Sequence, residues 1–398
     1  MQESMKPSAL AKHLFRIYHD YRLENLAPHN CTHGEITPLL HDLVARSDNL
    51  MKMKELGRSI EGRSINMVSC GSGTTRVLLW SQMHGDEPTA TLALMDIFNF
   101  LVHHHRGEKW IPEVLAGCTL FFIPMLNPDG AEHLQRHTAV GIDMNRDAAT
   151  LATPEARILR DAHRRLAPSF GFNLHDQELS SVGASKNVTA LALLAPAVDD
   201  RKSNPRVRRR AMRVAALMAQ SLKQFAEEHL AQYDDAYEPR AFGDRMQSWG
   251  TSTVLIESGH WPKDPQKAFI RKLNFIALLS AIRAISNGSY DDAELDWYTS
   301  LPQNGKKMYD VIIRNVLLQH STSWSHRIDI GLGRPQSFER ISESTMVTIK
   351  EIGDLSTSDG LEVIAGSGRR ISPAILRVEK VLPLKDLLDA LQLYFSPV

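Results

Sequence analysis

Cysteine is scarce in this chain of 398 residues: Cys31, Cys70 and Cys118 are widely spaced and odd in number. That count excludes a disulfide framework and fits a reducing compartment. Net charge is lacking too. The 46 basic side chains balance 46 acidic ones, so nothing favours nucleic acid or an anionic membrane as a partner. No basic segment followed by a continuous apolar run opens the chain, so no secretory leader is expected. No apolar run approaches the length of a membrane-spanning helix. Internal repeats and low-complexity tracts are absent as well. These absences lead to the expectation of a soluble, cytoplasmic protein. What is there is ordinary globular composition, 43% apolar and 23% charged. The length suits one large domain with a smaller one appended.

One stretch organises the rest. Arg76-Val77-Leu78-Leu79-Trp80 reads as a buried strand, and Pro88 followed by helically spaced apolar residues from Ala90 to Val102 predicts a helix. His84-Gly85-Asp86-Glu87 therefore sits where a strand ends and a helix begins, at the edge where open α/β sheets collect ligands. The H-x-x-E spacing lets His84 and Glu87 reach one metal ion from a tight turn. Zinc accepts imidazole nitrogen and carboxylate oxygen, and a catalytic site needs a third protein ligand with one position left open. Alone, the motif also fits a turn-capping His and a Glu favoured by the helix dipole.

Elsewhere, residues 8–26 read as a helix with Leu10, Leu14, Ile17, Tyr18 and Tyr21 on one face, and residues 25–34 as a loop. Residues 61–70 alternate toward a strand that would form a hairpin-like pair with residues 76–80. A buried strand from Cys118 to Pro124 runs into the turn Asn127-Pro128-Asp129-Gly130. Further strands are expected at 170–177, 188–194 and 252–259, and helices at 154–166, 206–233 and 267–285. The alternation predicts an α/β fold, a mostly parallel or mixed sheet with helices on both faces. His103-His104-His105 reads as a basic helix end, since adjacent helical residues do not face one another. Arg206 to Arg210 reads as a solvated helix face rather than a nucleic-acid patch. Beyond Ser289, turn-separated strands at 311–318, 345–349, 361–364 and 374–378 suggest a small β-rich C-terminal domain, 290–398. It would follow a catalytic domain, 1–289, with a helical lead-in over about the first 50 residues.

Four clusters fall at predicted strand ends: His84 with Glu87, Asn127–Gly130 with Arg136 to Arg146, His175, and Glu257. His-Gly-Asp-Glu, Asn-Pro-Asp-Gly and Asp-x-Asn-Arg, in that order, resemble the carboxypeptidase A-like family of zinc metallocarboxypeptidases over roughly residues 60–287. The resemblance implies one zinc ion per chain, held by His84, Glu87 and His175 as in carboxypeptidase A, with water in the fourth position. It makes Glu257 the general base toward that water and Arg136 the arginine that polarises the scissile carbonyl. Asn145 and Arg146 match the residues that hold the substrate's terminal carboxylate. Asp143 matches the carboxylate that orients a ligand imidazole.

Two departures bear on the substrate. Asp147 follows Asn145-Arg146 where digestive and regulatory members carry Asn, and only Tyr233 and Tyr237 stand near the place of the family's mobile tyrosine. The expected function is a zinc metallocarboxypeptidase that hydrolyses a C-terminal peptide bond. The His-Gly-Asp-Glu form also resembles murein-peptide amidases. His-Gly-x-Glu resembles succinylglutamate desuccinylase and aspartoacylase, deacylases of N-acyl amino acids. A binding module without turnover is a third reading, disfavoured because every expected catalytic position is filled. The expected partner is a peptide or N-acyl amino acid with a free carboxylate, with neither nucleic acid nor membrane; nothing in the sequence sets an oligomeric state.

Overall fold

The computed structural model describes residues 7–104, 107–321, 324–334 and 341–393. In chain order the first part comprises α1 (Pro7–Ile17), α2 (His33–Ala45), β1 (Met51–Arg58), β2 (Ser64–Gly71), β3 (Thr75–Ser81), α3 (Thr89–His104) and α4 (Trp110–Gly117). Then come β4 (Cys118–Ile123), α5 (Pro128–Glu132), α6 (Pro154–Leu166), β5 (Phe170–Asp176), β6 (Ser180–Val182), β7 (Leu191–Leu194), α7 (Arg206–Ala226), β8 (Leu230–Gln232), α8 (Phe242–Ser248), β9 (Ser252–Ser258) and α9 (Ala268–Asn287).

Eight strands form one mixed sheet in the order β1-β2-β4-β3-β5-β9-β7-β8. Its centre, β4-β3-β5-β9, is parallel, as crossover helices require, while β1, β2 and β7 join it through antiparallel pairings. Strand β3 shows why this sheet is covered twice. Val77 and Leu79 pack into a core with α3, α7 and α9, whereas Leu78 and Trp80 pack with Leu159 of α6 and Phe242 of α8. Alternate side chains point to opposite faces, and a strand with no polar face is buried on both.

Local patterning erred where topology decides. Strands β2 and β3 do not form the expected hairpin-like pair, because β4 lies between them and pairs with both. The loop expected at 25–34 gives way to α2 at His33, capped by Thr32, whose hydroxyl accepts the Glu35 N–H. The first helix ends at Ile17 and continues as a single 3-10 turn to Asp20. The long helix stops at Ala226 rather than Tyr233, and Leu230–Gln232 becomes the edge strand β8. The His triplet does close a helix, α3, although His105 lies outside the described residues.

After α9, Tyr298 of α10 (Asp296–Thr299) is buried in the main core and its hydroxyl accepts the Ala195 N–H at 3.0 Å. Strand β10 (Asn304–Lys307) then pairs with β6. The rest is a separate sheet built from β11 (Tyr309–Ser321), β12 (Trp324–Gly333), β13 (Met346–Gly353), β14 (Gly360–Ala365), β15 (Arg370–Ile371) and β16 (Val381–Pro383). Helix α11 (Leu384–Leu391) closes its core by laying Leu384, Leu387, Leu388 and Leu391 against Val311, Ile313, Ile330 and Leu332. The strand expected at 374–378 is absent: Leu376 joins this core from a turn. No helix among the described residues is long and apolar enough to cross a membrane.

Candidate metal centre and cleft

The chain leaves β3 through Gln82, whose φ of 50° is left-handed. Its amide nitrogen donates to the carbonyls of Cys31 at 3.1 Å and Gly85 at 3.0 Å, which fixes the turn. A Cβ on Gly85 would lie 1.9 Å from the Gly130 carbonyl carbon. The His-Gly-Asp-Glu and Asn-Pro-Asp-Gly turns therefore pack backbone against backbone, which only glycine allows. Asn127 braces the second turn, accepting the Gly130 N–H at 3.0 Å and donating to Met83 O at 3.3 Å. Asp129 is fully buried and accepts from Ser59 Oγ at 2.6 Å, Glu61 N at 2.9 Å and Arg63 Nη1 at 2.8 Å. It is a strut for the turn, not a cleft residue.

Two strand ends, those of β3 and β5, meet at one point. His84 Nδ1 lies 2.6 Å from Glu87 Oε1 and His175 Nδ1 lies 2.8 Å from Glu87 Oε2, all three residues being buried. One ligand atom from each falls within 4.8 Å of the others, so the trio can hold a metal ion. Two imidazoles and one carboxylate are a zinc-type donor set. The outer nitrogen of His84 faces a carboxylate, as a ligand imidazole requires, whereas that of His175 faces an amide nitrogen. His84 Nε2 is 3.0 Å from Asp143 Oδ1, and His175 Nε2 is 3.4 Å from Asn145 Nδ2. Burial works against charge on His84, but Glu87 and Asp143 outweigh it and raise that imidazole to about 9. Burial dominates at His175, which is lowered. Burial would raise Glu87, yet the two imidazoles hold its carboxyl far below the ordinary range. The centre is thus poised to exchange a proton for a cation.

Glu257 stands beside it. The parallel register of β5 and β9 sets His175 opposite Glu257. Burial, then the Glu87 and Asp176 carboxylates, push the Glu257 carboxyl well above its ordinary value. No hydrogen bond to the Glu257 carboxylate is made among the described residues, and the residue lines the cleft. Behind the centre, Asp176 accepts from Thr89 Oγ1 at 2.6 Å and from Lys267 Nζ at 3.0 Å, and its own N–H reaches Glu87 Oε2 at 3.2 Å. Sequence reasoning missed this brace. Asp176 was readable only as the neighbour of His175, and Lys267, left-handed at the start of α9, gives no local signal.

Arg136 brackets the centre, donating through Nη1 to Glu87 Oε1 at 3.1 Å and through Nη2 to Asp143 Oδ2 at 3.1 Å. Burial would raise Asp143, but His84 and Arg136 hold it far down. Asn145 accepts the Phe242 N–H at 3.0 Å, which ties it to the start of α8. Arg146 is half-exposed and lies 3.6 Å from Glu238. Asp147, the family departure, accepts from Ala152 N, Thr153 N and Thr153 Oγ1, each at 2.8 Å. It braces Thr153, the residue that caps α6, and does not line the cleft.

All these groups open into a cleft of about 860 Å³. Tyr233 and Tyr237 both line it, and the Tyr233 hydroxyl is raised first by the Glu257 charge and then by burial, which places it in electrostatic reach of Glu257. Asp244 lines it as well, and burial lifts its carboxyl to about 7. One wall comes from the C-terminal segment, through Met308, Tyr309, Asp310, Arg334 and Lys350. That wall is locked in place by Asn304 Nδ2, which donates to Gln177 Oε1 at 2.7 Å, and by Met308 N, which donates to Leu179 O at 3.0 Å. It could not be read from sequence, since it depends on the pairing of β10 with β6.

Residues 36–252, more than half of the chain, match the zinc carboxypeptidase family. The chain is 28% identical over 144 residues to Carboxypeptidase 2 of Trichophyton rubrum, covering 33% of this chain and 26% of that protein. It is 27% identical over 139 residues to Carboxypeptidase D of Drosophila melanogaster, covering 30% of this chain and 10% of that protein. The chain thus spans about a quarter of the length of the first of these relatives. Its fold matches the crystal structure of a metallo-carboxypeptidase from Burkholderia cenocepacia with a TM-score of 0.51 and 16% identity, over 64% of this chain and 68% of that one. Thrombin activatable fibrinolysis inhibitor matches with a TM-score of 0.53 and 12% identity, over 71% of this chain and 81% of that one. The chain belongs to the zinc carboxypeptidase family.

Proposed function

We propose that this protein is a zinc-dependent carboxypeptidase that releases one residue from the carboxyl terminus of a peptide. The observation that carries the reading is the convergence of His84, Glu87 and His175 beside an unpartnered Glu257, in a cleft that also presents Arg146. His84, Glu87 and His175 would hold one zinc ion per chain. Zinc held there would supply Lewis-acid chemistry toward water and the scissile carbonyl, and its charge would favour the ionised form of Glu257.

The remaining work falls to side chains of this chain. Glu257 takes a proton from the attacking water and delivers it to the departing amine. Arg136 donates to the carbonyl oxygen as negative charge grows on it. The Arg146 guanidinium, with the Asn145 amide beside it, receives the terminal carboxylate in a paired geometry. Asp143 orients the His84 ring by accepting its outer N–H. Tyr233 lends its hydroxyl near Glu257.

The carboxypeptidase relatives favour this reading over deacylation of N-acyl amino acids. We further assign residues 1–289 to the catalytic unit and 290–398 to an appended β-rich unit, with the 290–301 strap packed on the former. Three free buried thiols accord with a cytoplasmic setting.

A matched set of peptides with free or amidated carboxyl termini, with N-acyl amino acids alongside, tests the activity. Mass spectrometry should find chelator-sensitive release of one terminal residue from the free-acid peptides alone. Cleavage confined to N-acyl amino acids would replace the reading with deacylation.

A further inference from the structure

A second concavity, of about 870 Å³, opens at the opposite edge of the main sheet, where Ser169 and Thr251 lead into β5 and β9. From Phe170 to His175 the strand runs on the order of 17 Å at about 3.3 Å per residue, so this pocket is remote from the metal centre. Four arginines from three helices line it: Arg160 and Arg164 of α6, Arg210 of α7 and Arg245 of α8. No aspartate or glutamate lines it. In a chain with equal numbers of acidic and basic side chains, that is a marked local imbalance.

Most of these cations are unneutralised. Arg160 pairs with Asp161 at 2.6 Å. Among the described residues, Arg164, Arg210 and Arg245 have no acidic partner. Arg210 lies 4.2 Å above the Phe170 ring centroid, and its Nε is buried without a hydrogen-bond partner.

A basic helix end that offsets the dipole of α6 is the plain alternative. Two of the last four carbonyls of α6, and that of Pro168 beyond it, are served by other groups, however. Leu166 O accepts from Arg76 Nη1 at 3.0 Å, His163 O from Ala167 N at 2.8 Å, and Pro168 O from Thr251 Oγ1 at 2.9 Å. None of these carbonyls draws on an arginine of the pocket. Trp249, 37% exposed, adds a flat aromatic wall, with its ring 5.0 Å from that of His163.

We propose that this arginine-lined pocket binds a small anion carrying two or more phosphate-type charges. Guanidiniums recognise phosphate oxygens through paired donors, and arginines converging from separate helices suit an anion with charge at more than one point. The indole can carry a flat ring attached to that anion.

Calorimetry on the full, zinc-loaded chain at low salt, with fructose bisphosphate and adenosine bisphosphate as probes, tests the site. One saturable site per chain is expected, weakening as salt rises. Replacing Arg164→Gln and Arg245→Gln together should weaken binding at least about tenfold, the scale of lost charge-assisted hydrogen bonds, with the melting temperature unchanged. Arg146→Gln in the cleft should leave binding as it was. Tighter binding of the adenosine probe, lost in Trp249→Ala, would add stacking to the site, and equal binding of both probes would assign it to charge alone. No saturable binding, or binding lost in Arg146→Gln but kept in the double variant, would overturn the proposal.

Discussion

Two arginine–carboxylate clusters stand near helix α3, and they are built to different ends. Arg271 and Asp96 are sealed inside the fold. Asp96 accepts from Arg271 Nε at 2.6 Å, Tyr18 OH at 2.9 Å and Leu23 N at 2.9 Å, while Arg271 Nη1 reaches Leu26 O at 2.8 Å. Arg136, with Glu87 and Asp143, lies at the cleft with 41% of its side chain exposed, beside a Glu257 carboxylate without a hydrogen-bond partner. In the first cluster both carboxylate oxygens are bonded and a ligand has no way in. In the second, atoms that could hold a metal converge beside an uncommitted carboxyl, in a cleft. Residue type does not separate structural from chemical clusters. Completeness of hydrogen bonding and access do.

Substitutions can break the comparison at either end. The largest effect is expected at the open cluster: His175→Ala should abolish zinc binding and bring peptide hydrolysis to background, with the thermal transition retained, as metal analysis and assay would show. In the sealed cluster, Asp96→Ala leaves Arg271 buried and unpaired, which should cost about 3–5 kcal/mol of stability. Denaturant titration would register that loss, and turnover per folded molecule should hold. If Asp96→Ala cut turnover while leaving stability intact, the division between the clusters would be wrong.

Smaller effects sharpen the division. Arg146→Gln should lower kcat/KM roughly tenfold to a hundredfold on free-acid peptides, mostly through KM, in line with the loss of one charged hydrogen-bonding partner. The smallest expected effect is at Asp244. Its folded-state carboxyl sits near 7, above the ordinary 3.8, because it is buried. The folded protein therefore holds an extra proton between those values, and stability present below 3.8 is lost as pH rises through about 7. Asp244→Asn removes that loss, so the variant should be more stable than the parent above pH 7, and equal to it in acid. Urea midpoints across that range would show it.

The contrast also explains what the sequence could disclose. His84 and Glu87 are three apart at the end of an apolar strand, so local spacing exposed them. His175 and Glu257 each close a strand, and the register that makes them neighbours follows from the parallel α/β pattern. Asp96 and Arg271 are 175 positions apart, and nothing local links them. The insertion of β4 between β2 and β3 is a choice of topology that no window of residues records. Edge strand β1 was missed because its burial is irregular and half its side chains are polar. Helix α2 was hidden by an opening His-Gly and an internal Pro38. The C-terminal wall of the cleft needed the β10–β6 pairing, which joins residues more than a hundred positions apart.

The most direct test of the account is Glu257→Gln, with zinc content and peptide turnover measured on the same preparation. Because Glu257 is assigned proton transfer and not metal binding, zinc should remain at one per chain while kcat falls by about two or more orders of magnitude. Full turnover with zinc bound would contradict the account, removing Glu257 from the reaction and with it the reading of the open cluster as a hydrolytic centre.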